Sequence, residues 1–335
     1  FCFLDAVRYY MTYMTHRMYK TCIVLVFIFL VAAFLRVYHL SFHDAYTDEV
    51  LLAFRGLGMI DYDAAVSQTT PWQWFDAVPA WARLSFHDHP ILFFLIEHAT
   101  VGLFGENLIG MRAPAVLAGL GSIMLLFLIG RKLWNGRVGI MAAAILAVQS
   151  YHVWVSRVGL QDGVVIFFIL ASLYALILAK DDARWWYGFW IAFGLGVLTK
   201  LTALVILPLA VLFFIVYRVS PFAVKAFWRG GALFILITAP WWLYNIMLYR
   251  ARGHFDFQLS ALFGQPVPEW TVRLGRQMVG GLGDRLENFF HAWQRSSSLV
   301  WNGAALAGVC VGAYAAIFKR ARKFVFLLGV LVIWL

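Results

Sequence analysis

Residues 22–35 read CIVLVFIFLVAAFL, apolar at every position, and that uniformity decides the fold. A strand in a barrel wall alternates in polarity, whereas this run has no polar face to turn toward water or a lumen. It reads as a helix passing through hydrocarbon. About 20 helical residues at 1.5 Å each cross the roughly 30 Å core of a bilayer, and with its flanks the run approaches that length over 21–38. No small-residue cleavage site follows it, so it reads as a retained first helix and not a removed signal peptide.

Similar runs recur along the chain. Of its 335 residues 63% are hydrophobic and only 13% charged, with a mean hydropathy of +0.78, whereas a soluble domain carries about 25% charged residues. The expected class is all-α and polytopic, with spans near 21–38, 108–130, 138–155, 163–179, 186–199, 201–217, 231–249, 299–318 and 324 onward. These make about nine spans in one transmembrane domain over 1–335. The last stops at Leu335 inside FVFLLGVLVIWL, as expected of a chain that continues. Cys2, Cys22 and Cys310 show no CxxC and no metal-ligand spacing, so no disulfide framework is expected.

The formal net charge of +10 raises nucleic acid as a partner. The basic residues, however, sit in short clusters between apolar runs and form no stripe, which is the mark of membrane topology. With the N-terminus in the cytoplasm, Arg8, Arg17 and Lys20 lie inside. So do Arg131, Lys132 and Arg137, then Lys180 and Arg184, then Arg218, Lys225 and Arg229, and finally the 319–323 cluster. The alternate connections hold nearly all the carboxylates, among them Asp44, Asp48, Glu49, Asp162 and Asp256. This parity requires residues 90–104, which contain Glu97 and His98, to lie at the outer interface instead of spanning. The two long loops, about 39–107 and 250–297, then both face outward. Long loops commonly carry function.

Several outer residues suit chemistry. Asp48 and Glu49, in YTDEVLL, offer a general base and an orienting acid, although an Asp-Glu pair is common on solvated loops. Arg157 and Asp162, in SRVGLQDG, occupy a very short outer connection, where a carboxylate is costly unless used; a mutual ion pair is the bland alternative. Lys200, in LTKLTA, is a snorkelling anchor or a ligand for an anion. His89 follows His87 and Asp88 before Pro90, and Asp88 suits a helix cap. Arg112 opens the second span, placed for a phosphate or for lipid headgroups. All fall at one membrane surface. Acids that accept a proton beside cations that receive a phosphate suit group transfer from a lipid phosphate.

The order of YTDE, then His89-Pro90, Arg112, SRxxxxD over Ser156–Asp162 and LTK ending at Lys200 resembles the dolichyl-phosphate-mannose protein mannosyltransferases and the related lipid A aminoarabinose transferases. The resemblance covers roughly residues 20–220. It implies a GT-C fold and inverting transfer of a sugar from a polyprenyl-phosphate donor to a protein, lipid or glycan, on the outer or lumenal face. It further implies Asp48 as base with Glu49 beside it, and Asp162 as an orienting acid or metal ligand. Arg157 and Lys200 match positions associated with the cavity or the donor phosphate. The resemblance commits to no divalent metal ion; Asp48 and Asp162 would hold one if present. The family's His-Pro-Pro is His89-Pro90-Ile91 here. The loop 250–297 is expected to act as a lid, with Arg273 or Arg276 near the donor phosphate. Two other readings stand beside this one. A transporter or flippase of an anionic lipid would need polar residues through the bilayer, and the span centres are almost wholly apolar. A silent subunit of a larger membrane complex would have no use for intact Asp48 and Asp162.

Overall fold

The computed structural model describes residues 2–57, 75–83, 89–265, 283–284, 287–288, 291, 299–318 and 321–334, and among them every regular element is helical. The order is α1 Cys2–Val37, α2 Thr47–Leu57, α3 Ala80–Arg83, α4 Leu92–Phe104, α5 Leu108–Leu133, α6 Gly136–Val148 and α7 Ser150–Val155. It continues with α8 Gln161–Ala179, α9 Trp185–Thr199, a 3-10 turn Leu201–Val205, α10 Ile206–Tyr217, α11 Lys225–Arg252, α12 Phe257–Phe263, α13 Leu299–Phe318 and α14 Arg322–Trp334. Three of the described helices are long and apolar enough to cross a membrane, α5, α8 and α11. Shorter apolar stretches occur at Thr21–Val37, Leu92–Phe104, Gly136–Val148, Leu201–Tyr217 and Ala305–Phe318.

The bundle has an apolar core and also exposes apolar side chains on its outside. Trp186, Trp241, Phe189, Phe193 and Phe213 are buried between α8, α9, α10 and α11, while Leu117, Ile215, Ile235 and Leu236 stand exposed. Lipid tails are as apolar as leucine, so association depends on close packing, polar contacts and small residues. At the α5–α6 crossing a Cβ built on Gly139 would lie 2.5 Å from the Phe127 carbonyl oxygen. Only glycine lets those backbones approach so closely.

The expected span 138–155 is built differently from the sequence reading, whereas 108–130 is one helix, α5. Residues 138–155 are not one helix: Gln149 is extended, its side chain caps α7 by accepting from the His152 N–H, and α6 ends at Val148. The break strands carbonyls at Leu146 and Ala147, and the buried Arg36 guanidinium donates to both, at 3.4 Å and 3.0 Å, while contacting His152 Nδ1 at 2.7 Å. A buried cation is thus satisfied by backbone that a broken helix sets free. In α5, Pro114 cannot donate to the carbonyl of Gly110. Thr100 of α4 does so instead, at 2.8 Å.

Candidate active site

α2 starts at Thr47, making Tyr46 the N-cap and placing Glu49 where its carboxylate reaches back to the Tyr46 N–H at 2.9 Å, half of a capping box. The same carboxylate is gripped by Arg112, whose Nε and Nη2 donate to its two oxygens at 2.9 Å each, and it accepts the Gly159 N–H. Arg112 spends its remaining donors on the carbonyls of Leu40 (2.6 Å), His43 (3.1 Å) and Asp44 (3.1 Å). Every guanidinium donor is therefore committed within the protein. Both side chains are buried, at 4% and 0% exposure. Burial raises the Glu49 pKa, but Arg112 and the two backbone donors outweigh it and hold the carboxyl below the usual range.

Arg157 donates to the carbonyls of Leu35, Tyr38 and His39, at 2.8, 2.8 and 3.0 Å, over the end of α1. There His39 turns left-handed at φ 51°. The guanidinium satisfies carbonyls that the helix end leaves open and opposes its negative dipole end. The pairing of Arg157 with Asp162 does not form.

Asp162 instead accepts from Lys200, at 2.9 Å and 3.1 Å to its two oxygens. These two, with Asp48, His89, Arg55, Gln161, Leu51, Leu52 and Leu160, line one cavity of about 340 Å³. Of the residues singled out by sequence, four therefore meet: Asp48 from the first turn of α2, His89 ahead of α4, Asp162 from the first turn of α8, and Lys200 after α9. Glu49, Arg112 and Arg157 do not line it; they fix the segments that carry it. Arg273 and Arg276, like His87 and Asp88, lie outside the described residues. Two cavity residues escape the sequence reading. Arg55 lies seven residues after Asp48, two helical turns along one face, and is discoverable once α2 is known to be a helix. The Gln161 Nε2 is buried with no hydrogen-bond partner among the described residues. Nothing in the sequence marks it.

Behind the cavity α4 packs on α2, and Gly56 admits Glu97: a Cβ at Gly56 would lie 2.9 Å from its Oε2. Neither Glu97 oxygen has a hydrogen-bond partner among the described residues. Burial, then the Glu49 carboxylate, push the Glu97 carboxyl well above the usual range against the pull of Arg55. Asp256 is another buried acid, accepting from Trp241 Nε1 (2.6 Å), Asn245 Nδ2 (3.1 Å) and the Leu259 N–H (2.9 Å). It ties α12 to α11. As for a metal, Lys200 already places its charge against both oxygens of Asp162, and among the described residues no three His, Cys, Asp or Glu side chains gather as ligands. The residues thus do not form a ready ion site at Asp162.

The resemblance seen in the motifs to membrane glycosyltransferases is borne out by comparison with known proteins. Residues 88–244 match the family model described as dolichyl-phosphate-mannose-protein mannosyltransferase. YkcB of Bacillus subtilis, which bears a mannosyltransferase name, is 26% identical over 204 residues, covering 58% of this chain and 26% of that protein. The undecaprenyl phosphate-alpha-4-amino-4-deoxy-L-arabinose arabinosyl transferase 1 of Pseudomonas fluorescens is 29% identical over 149 residues, 40% of this chain and 27% of that one. The crystal structure of apo ArnT from Cupriavidus metallidurans superposes with a TM-score of 0.52 at 17% identity, covering 75% of this chain and 48% of ArnT, a likeness of fold. The aligned part of the chain spans about a quarter of the length of these two curated relatives.

Proposed function

We propose that this chain is the membrane-embedded catalytic part of an inverting glycosyltransferase, which moves a sugar from a polyprenyl-phosphate donor to a hydroxyl or amine on a protein, lipid or glycan. The reaction would take place on the outer or lumenal side, with the N-terminus in the cytoplasm. The observation that carries the reading is the convergence of Asp48, His89, Asp162 and Lys200, from four separate elements, on one cavity. Donor names among the relatives supply the class of substrate.

In this reading Asp48 takes the acceptor proton as the acceptor attacks the anomeric carbon. The bond from that carbon to the phosphate oxygen breaks, and its electron pair leaves on the polyprenyl phosphate. Attack opposite the leaving group inverts the anomeric centre. Lys200 and Arg55 face the phosphate, where developing negative charge is worth most to stabilise. Asp162 orients the Lys200 ammonium, and His89 and the Gln161 amide supply polar contacts to the donor. Glu49, Arg112 and Arg157 act through the backbone they hold. No step is assigned to a metal ion.

Purified protein in detergent, offered radiolabelled polyprenyl-phosphate sugars with and without chelator, tests this. Wild type is expected to transfer label. Asp48→Asn is expected to lose transfer by roughly 100-fold or more while melting as wild type does. Transfer by Asp48→Asn at the wild-type rate would sink the assignment.

A further inference from the structure

At the opposite end of the bundle lies a second cavity, of about 220 Å³, lined by Lys132, Leu133, Ile177, Lys180, Asp181, Phe213, Tyr217 and Lys323. α8 sets its distance from the first: Asp162 begins that helix and Lys180 follows its end, roughly 27 Å away at 1.5 Å per residue. The two cavities therefore sit at opposite faces of a bilayer. Its walls are built from four helix ends, α5, α8, α10 and the start of α14. Leu133, Ile177 and Phe213 form a buried apolar floor.

Three ammonium groups face one carboxylate there. Lys132 pairs with Asp181 at 2.8 Å, and Lys180 reaches it only at 3.9 Å. Lys180 stands 5.7 Å from the centre of the Tyr217 ring, and Lys323 stands 6.0 Å from the centre of the Trp134 ring. The Tyr217 hydroxyl is buried with no hydrogen-bond partner among the described residues. Lysines placed only by membrane topology have no need to converge, and Arg131 and Arg137, at the same end, stay out of the cavity. A buried phenol hydroxyl without an acceptor is costly. An anion held between it and the lysines removes both the excess positive charge and the orphaned donor.

We propose that this cavity binds the phosphodiester headgroup of an anionic phospholipid from the leaflet opposite the candidate active site. Lys132, Lys180, Lys323 and the Tyr217 hydroxyl donate to the phosphate. A zwitterionic headgroup would bring its own cation into a site that already has two uncompensated ones, so the net charge selects an anionic lipid. Basic pockets between membrane helices are suited to such headgroups. The walls α10 and α14 carry exposed Ile215 and Val325, apolar surface on which acyl chains can lie. The inference does not depend on the sugar-transfer reading.

Native mass spectrometry of the purified chain in detergent tests it, with phosphatidylglycerol, phosphatidylcholine and inorganic phosphate as separate probes. Wild type is expected to retain one phosphatidylglycerol in preference to phosphatidylcholine, and millimolar inorganic phosphate is expected not to displace it. A Lys132→Gln, Lys180→Gln, Lys323→Gln triple variant is expected to lose retention by on the order of 100-fold, from about 1 kcal/mol for each lysine. Asp181→Asn keeps every lysine and removes the competing carboxylate, so retention should rise. That arm remains decisive if the triple variant folds poorly. Equal retention of the two lipids, or unchanged retention in both variants, overturns the proposal; displacement by inorganic phosphate reassigns the cavity to a soluble anion and overturns it as a lipid site.

Discussion

Single residues near the cavity separate by what their charges touch. Arg112 spends its guanidinium on Glu49 and three carbonyls, so Arg112→Ala leaves a buried carboxylate without its counter-charge, held only by the Tyr46 and Gly159 N–H groups. A loss of about 3–5 kcal/mol is expected, read as a drop in melting temperature in detergent. Lys200 and Asp162 are partly exposed, at 28% and 44%. Lys200→Gln should change stability by less than about 1 kcal/mol, and it should reduce sugar transfer if the proposed reaction holds. The two variants thus test positioning against chemistry in one pair of measurements. Glu97 gives a pH signature. Its carboxyl is held above the usual range in the folded protein, so folding favours the protonated form. The stability it contributes is complete below the ordinary carboxylate pKa and is lost as pH rises toward the raised value. Glu97→Gln, neutral at every pH, should flatten the decline of a melting profile as pH rises above the ordinary carboxylate pKa; parallel profiles would refute a protonated Glu97. Sequence showed that Asp48, His89, Asp162 and Lys200 share a membrane surface, because charge at the end of an apolar run is visible in one dimension. It could not show that Arg112 and Arg157 are consumed by carbonyls, since those carbonyls become available only where α1 ends in three dimensions.

At the level of the helices, the apolar runs forecast most described elements, and the departures have local causes. α5 runs through Pro114 because Thr100, on a neighbouring helix, donates to the carbonyl that Pro114 leaves open. Thr100→Val keeps the shape and removes that donor, so a cost of about 1–3 kcal/mol is expected from the orphaned Gly110 carbonyl, measurable by thermal melting against wild type. Gly139 and Gly136 make a matched pair three residues apart. A methyl on Gly139 meets the Phe127 carbonyl oxygen, while one on Gly136 meets nothing within 4 Å. Gly139→Ala should destabilise the α5–α6 crossing by about 1–3 kcal/mol, and Gly136→Ala should be neutral or slightly stabilising. Hydropathy reads 138–155 as a single span because Gln149, Ser150 and His152 are outweighed by the apolar residues on either side. The break there depends on Arg36, more than a hundred residues earlier, taking the freed carbonyls.

Across the whole molecule the separation of acids from bases becomes a separation of two cavities. The Asp48 to Lys200 cavity sits where α8 begins, and the three-lysine cavity sits where α8 ends. On the proposed orientation, with the N-terminus in the cytoplasm, the lysine end faces the cytoplasm, which requires α4 to lie at the interface and not to span. If α4 spanned, every connection after it would change sides, and Asp44 and Asp181 would share a face instead of lying on opposite ones. Single cysteines settle the parity. In a background with Cys2, Cys22 and Cys310 replaced by alanine, Asp44→Cys should react with a membrane-impermeant maleimide on intact cells or lumen-exposed vesicles. Asp181→Cys, half-exposed in the native chain, should react only after permeabilisation. Labelling of both before permeabilisation would make α4 a span and put Asp48 and Asp162 on opposite faces, against their convergence on one cavity. The asymmetric outcome would place a candidate reaction at one face and an anionic-lipid anchor at the other, joined by the helices that carry both.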